Sequence, residues 1–206
     1  MTLGVFNVYR ILTVSDVVDP RLYPVFDRQN FQQVELVLSC GDLPPEYLSF
    51  LLNTTGAPLY YVCGNHDLRF REKPPQGCIN LHARLARFRG LKILGLEGSI
   101  WYNGGVYQYT ENQMRKTIRR LRRRLWWQGG IDIIIAHAPP SGVHDAVDIC
   151  HQGFESFRWL IDKYSPKYFI HGHIHKIFGH PSERVSMVNS TQVINTYGCH
   201  LLEIED

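Results

Sequence analysis

Four short segments rich in glycine and polar side chains each follow a stretch of this sequence that has the apolar composition of a buried strand. They are Cys40-Gly41-Asp42, Gly64-Asn65-His66-Asp67, the single His137, and Gly172-His173-Ile174-His175. Ligands of open α/β sheets lie outside the carboxyl ends of the strands, so we expect all four segments to meet at one sheet edge. The chain is therefore constrained to a fold in which several strands end side by side.

The first half of the chain alternates predicted strands with predicted helices. Pro44 and Pro45 open one of the helices, where a missing N–H costs no hydrogen bond. Strands are predicted over residues 9–14, 34–39 and 59–62, and helices over residues 21–33 and 44–52. Alternation at this spacing is typical of βαβ units with a parallel inner sheet.

The second half adds more strands after a weakly patterned segment at residues 72–90. The continuous apolar run at residues 131–136 indicates a strand covered on both faces. Other strands are predicted over residues 91–96 and 99–102, joined by a turn near Gly98, and over 168–170, 185–188, 192–195 and 200–204, with a helix at 154–164. Together the two halves predict an α/β fold, a four-layer α/β/β/α sandwich of two mixed sheets, as a single domain over residues 1–206.

Six side chains that bind metals in proteins come directly after predicted strands. They are Asp16, Asp42, Asn65, His137, His173 and His175. A polar residue at one strand end is usually a cap or a turn residue, but six of ligand type at one edge favour a metal site. Carboxylate, amide and imidazole groups together suit Mn, Fe or Zn.

The order of these segments resembles that of the calcineurin-like metallophosphoesterases, whose motifs are D-x-H, G-D, G-N-H-[D/E], H and G-H-x-H. The resemblance runs over residues 10–205 and implies the sandwich fold and two divalent metal ions. This sequence departs from the first motif, since Val18 stands where the family has a histidine.

The resemblance implies which residues hold each ion. Asp42 would bridge both ions; the second ion would also be held by Asn65, His137 and His173, a complete set. The first ion would be held by Asp16, Asp42 and His175, with no ligand from Val18, so we expect it to bind more weakly. Asp19 is an alternative source of the missing ligand, although its place before Pro20 also fits a turn.

The resemblance also assigns catalytic roles to His66 and Asp67. His66 would protonate the leaving oxygen, and Asp67 would hydrogen-bond its other ring nitrogen and fix the tautomer. We expect Gly64 to allow a sharp turn of the backbone before them. His144 and His151, in the loop after His137, are predicted to contact substrate.

The implied function is metal-dependent hydrolysis of a phosphoester by metal-bound hydroxide. Phosphodiesters are favoured because the chain lacks a long insertion that could form a cap, and the substrate would be a nucleotide, another phosphodiester or a phosphoprotein. One alternative is a phosphomonoesterase or protein phosphatase of the same fold. Another is a non-catalytic scaffold, which the loss of the histidine at Val18 would favour.

A strongly basic helix is predicted in the part of the sequence between Asp67 and His137. Seven of the residues from Arg115 to Arg124 are Lys or Arg, and Met114, Ile118, Leu121 and Leu125 recur at helical spacing. This face indicates either solvated side chains or a surface for the phosphates of nucleic acid, nucleotides or anionic lipid. We expect Trp126 and Trp127 at its end to pack against the rest of the fold.

Composition supports a soluble, cytoplasmic protein. Apolar residues make up 44% of the chain and charged residues 20%, with a net charge of +3. The sequence contains neither a signal peptide pattern nor an apolar run long enough to span a bilayer. The five cysteines form no C-x-x-C pair, which argues against a disulfide framework.

Overall fold

The strands and helices follow the alternation predicted from the sequence, with differences at particular elements. A computed structural model describes residues 8–205. The strands are β1 (Val8–Ser15), β2 (Leu36–Ser39), β3 (Leu59–Tyr61), β4 (Ile79–Asn80), β5 (Arg84–Phe88), β6 (Leu91–Leu96), β7 (Ser99–Ile100), β8 (Gln108–Tyr109), β9 (Ile133–Ala136), β10 (Tyr168–His171), β11 (Val185–Val188), β12 (Thr191–Asn195) and β13 (Gly198–Glu205). The α-helices are α1 (Pro45–Thr55), α2 (Glu111–Trp127) and α3 (Glu155–Tyr164).

Two large mixed sheets form the centre of the molecule. The first has five strands in the order β13-β1-β2-β3-β4, and the second has six in the order β11-β12-β10-β9-β6-β5. Parallel pairs join β1, β2, β3 and β4 in the first sheet, and β6, β9, β10 and β12 in the second. Antiparallel strands, β13 on the first sheet and β5 and β11 on the second, complete them.

Apolar side chains fill three interfaces, which gives the four predicted layers. Neighbouring residues of one strand point to opposite faces, so Ile11 packs between the sheets and Leu12 packs towards α1. In the second sheet, Ile133 likewise faces the other sheet, while Ile134 faces the layer formed by α2 and α3. Since both of their faces are covered, β2 and β9 are buried along their whole length, and the prediction of an α/β/β/α sandwich is confirmed.

The helix predicted over residues 21–33 is wrong, because this segment is a series of turns. Pro24 lies inside the segment and cannot donate a helical hydrogen bond. The Asp27 side chain accepts hydrogen bonds from the backbone N–H groups of Gln29 and Asn30, at 3.1 Å each. These local bonds compete with those of a helix and favour a turn.

The two strands predicted on either side of Gly98 are present, but the second is shorter than residues 99–102 and the two do not pair with each other. β6 pairs with β5 and β9, whereas β7 is only two residues long and pairs with β8 in a separate small sheet. β5 lies within the weakly patterned segment at residues 72–90 and was not predicted. It is an edge strand with exposed Arg84 and Arg87, so it lacks the apolar run that marks the inner strands.

The basic helix is confirmed as α2, and its apolar stripe packs against the second sheet. Thr110 and Gln113 form a capping box at its start, and Met114, Ile118, Leu121 and Leu125 are buried. The packing expected for Trp126 and Trp127 is wrong, since each is 83% exposed. Within residues 8–205, no helix combines the length and apolar character that a membrane-spanning segment requires.

Candidate metal centre

The predicted ligands come from the carboxyl ends of strands in both sheets. In the first sheet, Asp16 follows β1 directly, Asp42 comes after β2 and Asn65 comes after β3. In the second sheet, His137 follows β9 directly, and His173 and His175 come after β10. Because the two sheets are packed face to face, their ends meet at one edge, which is where ligands of such folds are expected.

Three of these residues have a backbone conformation that side-chain-bearing residues seldom adopt. The φ angles are +64° at Asp16, +57° at Asp42 and +67° at His173. This left-handed region is uncommon for residues other than glycine and is often found at functional sites. Here it turns the chain immediately after each strand and brings the side chain back towards the common edge.

Three side chains converge around Nε2 of His137, a residue that is completely buried. This nitrogen lies 3.2 Å from Oδ2 of Asp42, 3.0 Å from Oδ1 of Asn65 and 3.1 Å from Nδ1 of His173. Ligand atoms of Asp42, His137 and His173 all lie within 4.8 Å of one another. The structure thus brings together the whole set that the resemblance assigns to the second ion.

Backbone carbonyl groups orient both imidazoles of this set. Nδ1 of His137 donates to the carbonyl oxygen of Cys40 at 2.7 Å, and Nε2 of His173 donates to that of Cys150 at 2.6 Å. Each bond leaves the other ring nitrogen facing the cluster. A carbonyl group behind a metal-binding histidine is a usual arrangement, since it fixes the tautomer and the orientation of the ring.

Gly64 is needed for space rather than for a turn. A Cβ atom at this position would overlap the Asp42 carboxylate and lie 2.7 Å from Cε1 of His137. Its φ angle is not among the positive ones, so the conformational role predicted for Gly64 is wrong. The glycine lets the backbone after β3 approach the Asp42 and His137 side chains closely.

The residues assigned to the first ion form a looser group. Both carboxylate oxygens of Asp16 accept from the backbone N–H of His173 at 3.0 Å, and Nε2 of His175 lies 3.5 Å from Oδ1. The Asp16 side chain is buried, but the His175 side chain is 58% exposed. Val18 packs against the apolar cluster between the first sheet and α1.

Asp19 does not replace the missing ligand. Its carboxylate accepts from the Arg21 guanidinium at 2.9 and 2.7 Å and from the Cys199 thiol at 3.0 Å. Burial alone would raise the pKa of Asp19, but these partners hold it at about 2. Its backbone carbonyl accepts from Leu22 N–H, so the turn interpretation is the correct one.

The charges at the edge favour a cation where the imidazoles meet. Burial alone would lower the pKa of His137, but attraction by Asp42 raises it to about 9. Burial likewise opposes ionisation of Asp42, yet His137 lowers its pKa to about 2. Burial and repulsion by His137 lower the pKa of His173 to about 4. His173 therefore offers a neutral nitrogen beside a carboxylate, a donor set that fits a divalent transition metal.

His66 and Asp67 are not linked in the way that was expected. The two oxygens of Asp67 accept from the backbone N–H groups of Asp42 at 2.8 Å, Gly64 at 2.8 Å and Leu43 at 3.1 Å. Burial and the negative charge of Asp42 raise its pKa to about 7. Asp67 thus ties the segments after β2 and β3 together, and the role of fixing the His66 tautomer is wrong.

His66 itself is held at the edge by its backbone. Its N–H donates to Oδ1 of Asp42 at 2.7 Å, and the residue is exposed. Within residues 8–205 its ring makes no hydrogen bond. The ring is therefore available to a ligand bound beside Asp42.

His144 and His151 lie in different surroundings. His144 uses both ring nitrogens, on Nε2 of His171 and on Oγ of Ser186, at 2.8 Å each, so it is not free to contact substrate as predicted. The His151 ring centroid lies 5.2 Å from that of His173, and its Nδ1 donates to Asp148 at 2.8 Å. His151 thus stands beside the cluster with Nε2 available.

Tyr102 is a residue of the site that sequence reasoning missed. Nδ2 of Asn65 donates to its hydroxyl oxygen at 3.2 Å, which directs Oδ1 of Asn65 towards His137. Tyr102 lies in a loop after the two-residue strand β7, far from Asn65 in sequence. No motif or periodicity marks it.

Comparisons with known proteins agree with this geometry. The family model for calcineurin-like phosphoesterases matches residues 9–177, a range that includes each ligand candidate from Asp16 to His175. A search of curated proteins finds no match.

Several solved structures are similar to this chain, including one from Thermus thermophilus and one from Plasmodium. TT1561 of Thermus thermophilus has a TM-score of 0.65 and 15% identity, and the match covers 97% of this chain and 99% of that one. GAP50, the anchor in the inner membrane complex of Plasmodium, has a TM-score of 0.52 and 13% identity over 91% of this chain and 71% of its own. At such low identities the TM-scores show a common fold and no more. The match of the family model shows that the chain belongs to the calcineurin-like phosphoesterase family.

Proposed function

We propose that this chain hydrolyses phosphodiesters at the edge where His66, Asp42 and His137 meet. Metal-dependent hydrolysis of phosphoesters is the general activity that its family supports. The observation that carries the proposal is the orientation of His137 and His173 by two backbone carbonyls. Nε2 of His137 faces Asp42 and Asn65, and Nδ1 of His173 faces that same nitrogen, so the donor atoms are positioned before any ligand arrives.

Two divalent ions would be held by these residues. Asp42, Asn65, His137 and His173 would hold one, and Asp16, Asp42 and His175 the other. Bound ions of this kind supply activation of water near neutral pH and polarisation of phosphoryl oxygens.

The residues of the chain supply positioning and a proton. The backbone bond from His66 to Asp42 holds the imidazole next to the cluster, where it can donate a proton to the leaving oxygen. When protonated, the same ring places positive charge near the phosphoryl oxygens as their negative charge increases. His151, beside His173, is a second group for contact with a substrate oxygen.

Exposure of the edge favours diesters over monoesters. His66 is exposed and His175 is 58% exposed, so the site opens to solvent on the side of both residues. A phosphodiester carries a substituent on each side of phosphorus, and an open edge accommodates both. The ligands come from both sheets, which supports the proposal that one domain carries the activity.

The test is the hydrolysis of bis-p-nitrophenyl phosphate by metal-stripped protein titrated with Mn²⁺. We expect metal-dependent turnover that exceeds turnover of p-nitrophenyl phosphate, the corresponding monoester. His66→Ala should lower kcat by about 10²- to 10⁴-fold, the usual contribution of general acid catalysis. Its metal titration should not change, because the His66 ring is not among the ligands.

His180→Ala is a matched control, since His180 is an exposed histidine that bonds Ser182 in a surface turn. It should retain wild-type turnover. Faster turnover of the monoester would replace the proposal by a phosphomonoesterase. Absence of turnover in protein that binds Mn²⁺ would favour the scaffold.

A further inference from the structure

A concave strip runs between α2 and α3, on the outer face of the second sheet. It consists of two adjoining cavities of about 300 and 490 Å³, and Arg119 and Arg122 line both. We name this strip the α2–α3 groove. Trp159 lines the first cavity, and Trp126 and Lys163 line the second.

The positive charge along α2 is mostly uncompensated. Arg115 is paired with Glu111 at 3.0 Å and with Glu155 at 2.7 Å. The other cations of α2 are exposed and have no ion pair within residues 8–205: Lys116, Arg119, Arg120, Arg122, Arg123 and Arg124. These six exceed the net charge of +3 of the whole chain, so the remaining residues are net acidic. The helix is therefore a local attractor for polyanions.

Exposed aromatic rings stand among these cations. Trp126 and Trp127 are each 83% exposed and Trp159 is 42% exposed, although tryptophan is usually well buried. The Lys163 ammonium lies 4.8 Å from the centroid of a Trp159 ring, so that ring is flanked by positive charge. The exposed parts of these rings offer apolar surface that an unpaired base could cover.

We propose that the α2–α3 groove binds single-stranded nucleic acid. Arg119 and Arg122 would contact successive phosphates, and Trp159 and Trp126 would stack on bases. A groove of cations with interleaved aromatic rings is the usual surface for this ligand, because every base has a face on which a ring can stack. The proposal requires no metal and does not depend on the proposed function.

The shape of the strip favours nucleic acid over an anionic membrane. The shared arginines line a depression between two helices, whereas a bilayer surface is flat and would meet the ridges first. Glu155, at the start of α3, also lines the first cavity, but its carboxylate is paired with Arg115 at 2.7 Å.

The test is the fluorescence anisotropy of a labelled oligothymidylate of about 20 nucleotides, with EDTA present throughout. We expect binding that weakens roughly 20-fold between about 50 and 200 mM salt if about three phosphates are contacted. A duplex of the same length should bind more weakly, because its bases are not available for stacking.

Paired variants separate the groove from general positive charge. Arg119→Glu/Arg122→Glu should weaken binding at least tenfold, whereas Arg84→Glu/Arg87→Glu, the same charge change on exposed residues of β5, should have a much smaller effect. Trp159→Ala should weaken binding about fivefold or more, since stacking on one ring contributes about that much. Trp101→Ala, at a 50% exposed ring outside the groove, is its control. Thermal melting verifies that each variant folds.

Three outcomes would overturn the proposal. The first is the absence of oligonucleotide binding at low salt. The second is an equal loss in both charge-reversal pairs, which would mean binding by net charge alone. The third is a protein that binds phosphatidylserine vesicles through Arg119 and Trp159 but does not bind the oligonucleotide. That result would mean that the groove binds membranes.

Discussion

The two halves of the metal centre are constructed differently. His137 and His173 are buried, bonded to backbone carbonyls and surrounded by Asp42 and Asn65. On the other side, Asp16 is buried but His175 is mostly exposed, and Val18 contributes no ligand atom. The half around His137 is held by short buried hydrogen bonds, whereas His175 has only a longer contact with Asp16, at 3.5 Å, and a ring contact with Tyr197. We therefore expect one tight and one weak metal site in the same edge.

Among changes to the metal-binding halves themselves, the largest effect is expected from Gly64→Ala, which acts on the tight half. The added methyl group would overlap Asp42 and press on His137, and small displacements of such groups cost about 100-fold in rate. Turnover of bis-p-nitrophenyl phosphate and Mn²⁺ titration measure the effect. Gly179→Ala is the control, because a Cβ there meets only Glu183 at 3.4 Å. Equal activity in the two variants would contradict the close approach at Gly64.

Val18→His tests the weak half from the opposite direction. The added imidazole should tighten the weak class of Mn²⁺ binding by roughly tenfold if position 18 faces the first ion. Mutations of groups around metal ligands change metal affinity by about this factor. The tight class should not change. An unaltered titration would show that position 18 is not at the site, and Val17→His, at an exposed neighbour, is the matched control.

Tyr102→Phe should have a smaller effect, limited to the tight half. Loss of the hydroxyl oxygen removes the acceptor for Nδ2 of Asn65, so the amide can rotate and Oδ1 is no longer directed at His137. We expect metal affinity to fall by up to about tenfold. Tyr109→Phe serves as comparison, because its hydroxyl donates instead to Glu97. If metal affinity is retained in Tyr102→Phe, Asn65 is oriented by other contacts.

Asp19→Asn should leave both metal classes unchanged and alter only stability. Its folded-state pKa of about 2 is below the ordinary value of 3.8, so its contribution is present above about pH 4 and lost as pH falls towards 2. The variant should be less stable by roughly 1–2 kcal/mol at pH 7, with the difference decreasing in acid. Urea denaturation of the variant and the wild type, at pH 7 and again in acid, measures this difference in the free energy of unfolding. A change in metal stoichiometry would instead place Asp19 at the centre.

Strong periodicity made the inner strands and α2 predictable. Both elements are marked by apolar residues that become buried. These are the apolar run that ends before His137 and the stripe from Met114 to Leu125. The segment at residues 21–33 was not predictable in the same way, because Pro24 and Asp27 act through local bonds that override its composition. The edge strand β5 has no continuous apolar run to detect, because Arg84 and Arg87 interrupt it.

The clustering of the candidate ligands was predictable, because each of them follows a strand end. The groups that orient these side chains were not predictable. The carbonyls of Cys40 and Cys150 act through the backbone, so residue type gives no sign of them. Tyr102 reaches Asn65 only through tertiary structure. The roles of Asp67 and Gly64 were wrong for the same reason, since both depend on which atoms the fold places nearby.

The most direct test is calorimetric titration of metal-stripped protein with Mn²⁺, in wild type, His137→Ala and His175→Ala. We predict two classes of site in the wild type, with His137→Ala losing the tight class and His175→Ala losing only the weak one. Two equal sites in the wild type, or equal losses in both variants, would contradict the difference between the two halves of the centre.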